Sequence, residues 1–301
     1  MRGMKSLLSK QFRQLTLISC SLALLFFCSL AILPMRSFGA LPSESQPVPV
    51  DISRSTEQTD RTITAQVPNL GQAFQELNVD GSIVIYDKNN DRFYEHNGDR
   101  NTTAFFPLST FKILNALISL ETGVIRDDVT VLTWDGVQRE FPTWNRDTNL
   151  RQAFKDSTVW FYQVLARKNG HERMQKFVQQ VQYGNQQIGT PDQIDHFWLD
   201  GPLQITPKQE IEFLQRLERS DLPFSQQAVD LVKDIMIIER TPEYTLRGKT
   251  GWRSPVGWIV GYLEQSNNVY FFATNIKMST AKDAPKRLEI TRRSFKALGL
   301  L

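Results

Sequence analysis

TLRGKTGWRSPVGWIVGYLEQSNNVYFFATNI, residues 245–276, reads as strand after strand. Thr245–Lys249 opens the run. Gly257–Glu264 and Val269–Ile276 follow, rich in the Val, Ile, Tyr, Phe and Trp that fit a pleated, half-buried surface. Gln265-Ser266-Asn267-Asn268 between them has hairpin-turn chemistry. A last helix is expected from about Pro285 to Leu298. Working back toward the start, Gln226–Ile237 and Thr206–Leu217 carry helical periodicity, the latter with Thr206-Pro207 as cap and first-turn proline. Residues 150–185 hold two more helical patterns, and Ser109–Leu120 has apolar spacing at Phe111, Leu114, Leu117 and Ile118, closed by Gly123. Strands return only near the start of the globular part: Gly81–Tyr86, a turn at Asp87–Asp91, and Arg92–Glu95. Strands at both ends and helices between them predict an α+β fold. An antiparallel sheet is built from both chain ends, flanked by helices, with a helical insert.

What precedes that globular part has a different character. Residues 1–40 read as a signal peptide. Arg2, Lys5, Lys10 and Arg13 lead into an apolar stretch from Leu15 to about Leu33, and Ser37, Gly39 and Ala40 offer small residues for cleavage. The stretch approaches the ~20 residues that span a bilayer, so an uncleaved anchor competes with a cleaved leader. Leu17-Ile18-Ser19-Cys20 is a loose lipoprotein box with too little apolar sequence ahead of it. Residues 41–66, rich in Pro, Ser, Thr, Gln and Asp, read as a flexible linker, and residues 67–301 as one catalytic domain. The expected product is exported, periplasmic or secreted, and meets a membrane only through an uncleaved leader.

Composition excludes several classes. The net charge of +3 comes from the leader; the remainder holds 30 basic against 32 acidic residues, which gives a nucleic-acid partner no electrostatic support. Both cysteines, Cys20 and Cys28, fall in the leader, so neither a disulfide nor thiol chemistry is expected in the domain. The three histidines, His96, His171 and His196, have no metal-ligand spacing, and no metal is expected.

Ser109-Thr110-Phe111-Lys112 is a Ser-x-x-Lys tetrad at a helix start, which brings hydroxyl and amine onto one face. A helix N-terminus also presents backbone N–H groups to an oxyanion. A serine hydroxyl needs a base to become a nucleophile. Lys112 can serve if Phe105, Phe106 and Phe111 bury it and lower its pKa. Alone, the tetrad arises by chance about once per 300 residues, and a capped helix with a surface lysine would explain it. Lys249-Thr250-Gly251 on an edge strand adds a cation, a hydroxyl and open backbone groups, suited to a carboxylate and an amide lying alongside. Ser157-Thr158-Val159 supplies a second hydroxyl, otherwise read as a helix N-cap. Tyr183-Gly184-Asn185 is otherwise a helix-ending loop.

These motifs, in this order, resemble the class D β-lactamases, the oxacillinase family of penicillin-recognising serine enzymes. The resemblance covers about residues 68–300 and extends to Trp134-Asp135-Gly136, Thr143–Asp147, Phe197–Gly201, Val256-Gly257-Trp258, Tyr270–Ala273 and Arg287. It implies a β-lactamase/penicillin-binding transpeptidase-like fold and hydrolysis of β-lactam antibiotics, hence antibiotic resistance. Ser109 is implied as the acylated nucleophile. Lys112 is implied as a CO2-derived N6-carboxylysine, the general base for acylation and deacylation. Val159, Trp198 and Leu199 would line the carbamate pocket, with the Trp198 indole holding the carbamate. Ser157 would pass a proton to the leaving nitrogen. Lys249, Thr250, Gly251 and Arg287 would bind substrate, and the N–H groups of Ser109 and Trp252 would form the oxyanion hole. No other cofactor is implied, and the partner is a small-molecule β-lactam. Trp252–Pro255 looks short for the family, and Trp160-Phe161-Tyr162 adds bulk beside Ser157. A β-lactam-binding sensor and a slowly deacylating penicillin-binding protein remain as alternatives.

Overall fold

Strand-forming residues from the two ends of the chain meet in one sheet. The computed structural model describes residues 68–301; the leader, linker and domain boundary expected before Pro68 lie outside the described residues. A short helix α1 (Gly71–Glu76) precedes strands β1 (Gly81–Asp87) and β2 (Arg92–His96). The insert follows: α2 (Gly98–Thr102), α3 (Lys112–Glu121), the small ribbon β3 (Val131–Leu132) with β4 (Thr148–Asn149), then α4 (Leu150–Lys155), α5 (Val159–Asn169), α6 (His171–Val181), α7 (Pro207–Glu218) and α8 (Gln226–Ile235). The chain then returns through β5 (Ile237–Arg240), β6 (Tyr244–Arg253), β7 (Val256–Gln265) and β8 (Val269–Lys277) to α9 (Ala284–Ala297).

The six strands of the main sheet lie in the order β2-β1-β8-β7-β6-β5, every neighbour antiparallel. The expected hairpin closes where the Gln265 N–H donates to the Asn268 carbonyl at 2.9 Å. β6 and β7 stay paired as far as Arg253 and Val256, so Ser254-Pro255 alone makes their turn. β1 shows why these strands lack polar alternation. Successive side chains point to opposite faces; Ile83 and Ile85 pack with Phe74, Phe272 and Phe295 on the α1/α9 side, and Val84 packs under the insert. Both faces are covered, so both carry apolar residues.

The structure corrects two local expectations and bears out a third. The two helical patterns in 150–185 are three helices. Ser157 (φ 56°) separates α4 from α5, and Gly170 (φ 78°) separates α5 from α6. Helix 226–237 ends at Ile235, and Ile237 starts an edge strand, because pairing with Thr245–Arg247 of β6 satisfies its backbone. The Thr206 cap of α7 is present as a full capping box with Gln209, worth about 1 kcal/mol.

Candidate active site

Ser109 does not open an α-helix, as its spacing predicts. It sits in a 3-10 turn, Leu108–Phe111, that feeds α3 at Lys112. Residues three apart eclipse in a 3-10 turn, and Lys112 Nζ lies 2.6 Å from Ser109 Oγ. Leu108 has φ 56°, a left-handed conformation that costs a branched residue about 1–3 kcal/mol. Its N–H is held by the Trp198 carbonyl at 3.0 Å. The Lys112 N–H that opens α3 is spent on the Ser109 and Thr110 carbonyls, and the Thr110 N–H on the Pro107 carbonyl, so neither is aimed at an oxyanion.

Lys112 is fully buried. Its Nζ donates to the Ser109 hydroxyl at 2.6 Å, the Ser157 carbonyl at 2.9 Å and the Ser157 hydroxyl at 3.2 Å. It also lies 5.4 Å from the Tyr162 ring centroid. Among the described residues no carboxylate pairs with it. Burial, and then the charge of Lys249, hold its pKa well below that of an ordinary lysine. Ser157 is not the N-cap of α5; Thr158 takes that place. The left-handed backbone at Ser157 instead turns its carbonyl and hydroxyl toward Lys112. The same hydroxyl accepts from Lys249 Nζ at 3.1 Å, so it bridges two amines. Burial, and then Arg287, lower the Lys249 pKa to about 7.

Trp198 stacks on Phe111, ring centroids 5.4 Å apart. It is wholly buried, and its indole N–H has no partner among the described residues. An orphaned buried donor costs about 1–3 kcal/mol, so it marks a place where an acceptor belongs. Val159 and Leu199 are half-buried rather than enclosed. A carboxylate on Lys112 fits these residues on three counts. The amine is driven to its neutral, CO2-reactive form, an indole N–H is free, and the nearby Lys249 and Arg287 are cations.

β6 forms one wall of the cleft. The Gly248 N–H goes outward to the Met236 carbonyl at 2.8 Å, after which β5 no longer covers the strand. Backbone alternation puts the Thr250 and Trp252 N–H groups on the same open edge. The Trp252 ring is turned to the α9 side, its Nε1 donating to the Met278 carbonyl at 3.2 Å. Gly251 lies close to the nucleophile turn: a Cβ there would stand 3.2 Å from the Ser109 nitrogen and 3.3 Å from the Pro107 oxygen, a tight fit. Arg287, on α9, donates through Nη1 to the Gly251 carbonyl at 2.8 Å, and burial lowers its pKa to about 10. A cavity of about 690 Å³ lies along Gly248, Lys249 and Thr250, faced by Phe154, Met236 and Ile237; Ser109 and Lys112 do not line it, so it flanks the nucleophile rather than enclosing it.

Tyr183-Gly184-Asn185 is brought to the support of the site, not to the cleft. Asn185 donates to the Pro202 carbonyl at 2.8 Å and accepts from the Gln204 N–H at 3.1 Å, holding the loop that carries Trp198. Gly184 has φ 54° and lies against Gln204, where a Cβ would meet the carbonyl oxygen at 2.1 Å. Arg253 ties the β6–β7 turn to the same loop through Asp200 (2.7 Å) and the Leu199 carbonyl (3.1 Å). Sequence reasoning missed Glu210. It falls on the buried stripe of α7 with Pro207, Ile211, Leu214 and Leu217, and a carboxylate at that helical spacing was the available signal.

Residues 81–296 match the family model for the penicillin-binding protein transpeptidase domain. The chain is 40% identical over 217 residues to the probable β-lactamase YbxI of Bacillus subtilis, covering 71% of this chain and 80% of that protein. It is 39% identical over 227 residues to β-lactamase OXA-48 of Klebsiella pneumoniae, covering 74% and 85%. The crystal structure of the class D β-lactamase YbXI from Nostoc is 70% identical with a TM-score of 0.76, covering 77% of this chain and 99% of that one. FUS-1 (OXA-85) from Fusobacterium nucleatum subsp. polymorphum is 40% identical with a TM-score of 0.74, covering 77% and 98%. With a buried Ser-x-x-Lys pair facing a Lys-Thr-Gly strand, and with relatives of this identity and coverage, the chain belongs to the class D β-lactamases.

Proposed function

We propose that this chain hydrolyses β-lactam antibiotics through an ester on Ser109, with Lys112 as the general base in both half-reactions. Lys112 takes the Ser109 proton and the Oγ attacks the lactam carbonyl carbon. The N–H groups of Ser109 and Trp252 receive the charge that develops on the carbonyl oxygen. As the C–N bond of the ring breaks, Ser157 delivers its proton to the departing nitrogen and receives in exchange the proton that Lys112 took from Ser109, which frees the base for the second half-reaction. Lys112 then orients a water and takes its proton as the water oxygen attacks the ester carbonyl, and it returns that proton to Ser109 Oγ as the ester bond breaks and the open-ring acid leaves. Lys249, Thr250 and Arg287 hold the carboxylate of the drug, while Gly251 lets it approach the strand closely.

The observation that carries this reading is the 2.6 Å contact between the Ser109 hydroxyl and a fully buried lysine. We further propose that Lys112 works as its N6-carboxylate, formed from the neutral amine and CO2 with release of a proton. Carboxylation supplies an anionic base, which the free Trp198 N–H would hold, with Val159 and Leu199 shielding the pocket. Residues 1–40 would export the enzyme to the periplasm or medium; N-terminal sequencing of the exported protein should begin near Ala40 or Leu41.

Steady-state turnover of a chromogenic cephalosporin tests the function. Sustained hydrolysis is expected. A single burst of labelling would make the domain a β-lactam sensor instead. Very slow labelling would make it a peptidoglycan-processing transpeptidase or carboxypeptidase.

A further inference from the structure

Beneath the nucleophile turn lies a buried acid that the hydrolytic steps do not use. Glu210, in the first turn of α7, is wholly enclosed. Its Oε1 lies 2.5 Å from the Thr110 hydroxyl and 3.0 Å from the Tyr183 hydroxyl, and its Oε2 has no partner among the described residues. Thr110 directly follows Ser109. Its hydroxyl also lies 2.8 Å from the Pro107 carbonyl, which accepts the Thr110 N–H at 3.1 Å as well. Those two bonds close the turn that carries Ser109, and Gly251 packs on the same Pro107 oxygen.

One hydroxyl hydrogen cannot serve two acceptors. When Glu210 is neutral, its O–H donates to Thr110 Oγ1, and Thr110 is free to donate to Pro107. When Glu210 is ionised, the Thr110 hydrogen must turn to the carboxylate, and Pro107 keeps only the backbone bond. We propose that Glu210 is a positioning residue for the nucleophile: the Pro107–Thr110 turn is fully closed, and Ser109 best placed for acylation, only while Glu210 carries its proton.

The surroundings favour the neutral acid. Burial, opposed by the Thr110 and Tyr183 hydrogen bonds, pushes the carboxyl up to about 7. Elements packed on α7 carry Asp99 and Arg100 (α2), Tyr86 and Asp87 (β1), Tyr262 and Glu264 (β7) and Tyr270 and Lys277 (β8). None of these bonds to Glu210. On α7 itself Lys208 pairs with Glu95. Lys112 is engaged with Ser109 and Ser157. Among the described residues Tyr183 is the one titratable side chain bonded to Glu210.

This inference rests on acylation at Ser109, and its test separates the two. The acylation rate with a penicillin is followed across pH for the wild type and for Glu210→Gln, a neutral isostere. Lys249 titrates in the same range, so the variant-to-wild-type ratio is the readout. The ratio should rise several-fold as pH passes about 7. A ratio independent of pH would overturn the proposal, since a merely structural role moves both proteins together. Difference infrared spectroscopy reads the acid without turnover. The wild type should show a neutral buried carboxyl band below pH about 7 that disappears above it and is missing from Glu210→Gln. No such band would overturn the proposal even if the enzyme is active. An inactive wild type that shows the band would overturn the hydrolytic reading and leave the protonated Glu210 standing.

Discussion

Replacing Trp198 with Phe separates packing from hydrogen bonding at the base. The benzyl ring can keep the stack on Phe111, 5.4 Å away, and loses the indole N–H together with part of the ring volume. In CO2-free enzyme that donor is buried without a partner, a cost of about 1–3 kcal/mol. Trp198→Phe should therefore match or exceed the wild type in stability in CO2-depleted buffer, once the loss of ring volume is set against this gain. With Lys112 carboxylated the sign reverses. The variant forfeits a charge-assisted hydrogen bond worth about 1.5–3 kcal/mol, which is roughly 10- to 150-fold in CO2 affinity. The assay is the steady-state rate against added bicarbonate, paired with thermal unfolding with and without bicarbonate. The half-saturating bicarbonate concentration should rise by that factor, and acyl-enzyme should accumulate at low bicarbonate. An unchanged bicarbonate dependence in a fully folded variant would refute the role given to the indole.

Three further outcomes follow from the same geometry. Ser109→Ala should leave the fold intact and form no penicilloyl adduct by mass spectrometry; an adduct would remove Ser109 from its role. Arg287→Ala should cost roughly ten- to a hundredfold in kcat/KM for carboxylate-bearing drugs, whereas equal losses on a neutral ester analogue would count against carboxylate binding. Glu210 has a folded pKa of about 7, above its ordinary 4.5, so its contribution to stability is full at low pH and is lost as pH rises through 7. Denaturant unfolding should show the wild type losing up to about 3 kcal/mol relative to Glu210→Gln across that window, and parallel pH curves would contradict the buried acid.

Much of this was legible in the sequence, for identifiable reasons. β6 to β8 announce themselves because β-branched and aromatic residues cluster between turn residues, and α7 because Thr206-Pro207 supplies a cap and a first-turn proline. The antiparallel sheet from both ends followed from element order alone. At the site, Ser109, Lys112 and Lys249 were legible as residue types at meaningful spacing. What stayed hidden depends on long-range contacts. Leu108 and Ser157 hold left-handed backbones that no local preference for Leu or Ser predicts; Leu108 is held there by the Trp198 carbonyl, and the Ser157 backbone by Lys112. β5 was lost because Ile237 and Ile238 continue the apolar pattern of α8, and only pairing with β6 tells strand from helix. Tyr183-Gly184-Asn185 looked like a site motif and is a tie to the Trp198 loop, a role visible only once Gln204 is seen against Gly184.

Whether Lys112 works as a carbamate is tested most directly by 13C NMR of the active enzyme supplied with labelled bicarbonate. A carbamate signal should appear, vanish in Lys112→Ala, weaken at low pH as CO2 is lost, and track the recovery of activity when bicarbonate is restored. Active enzyme with no such signal, and with rates indifferent to bicarbonate, would contradict it and leave the neutral amine of Lys112 as the base.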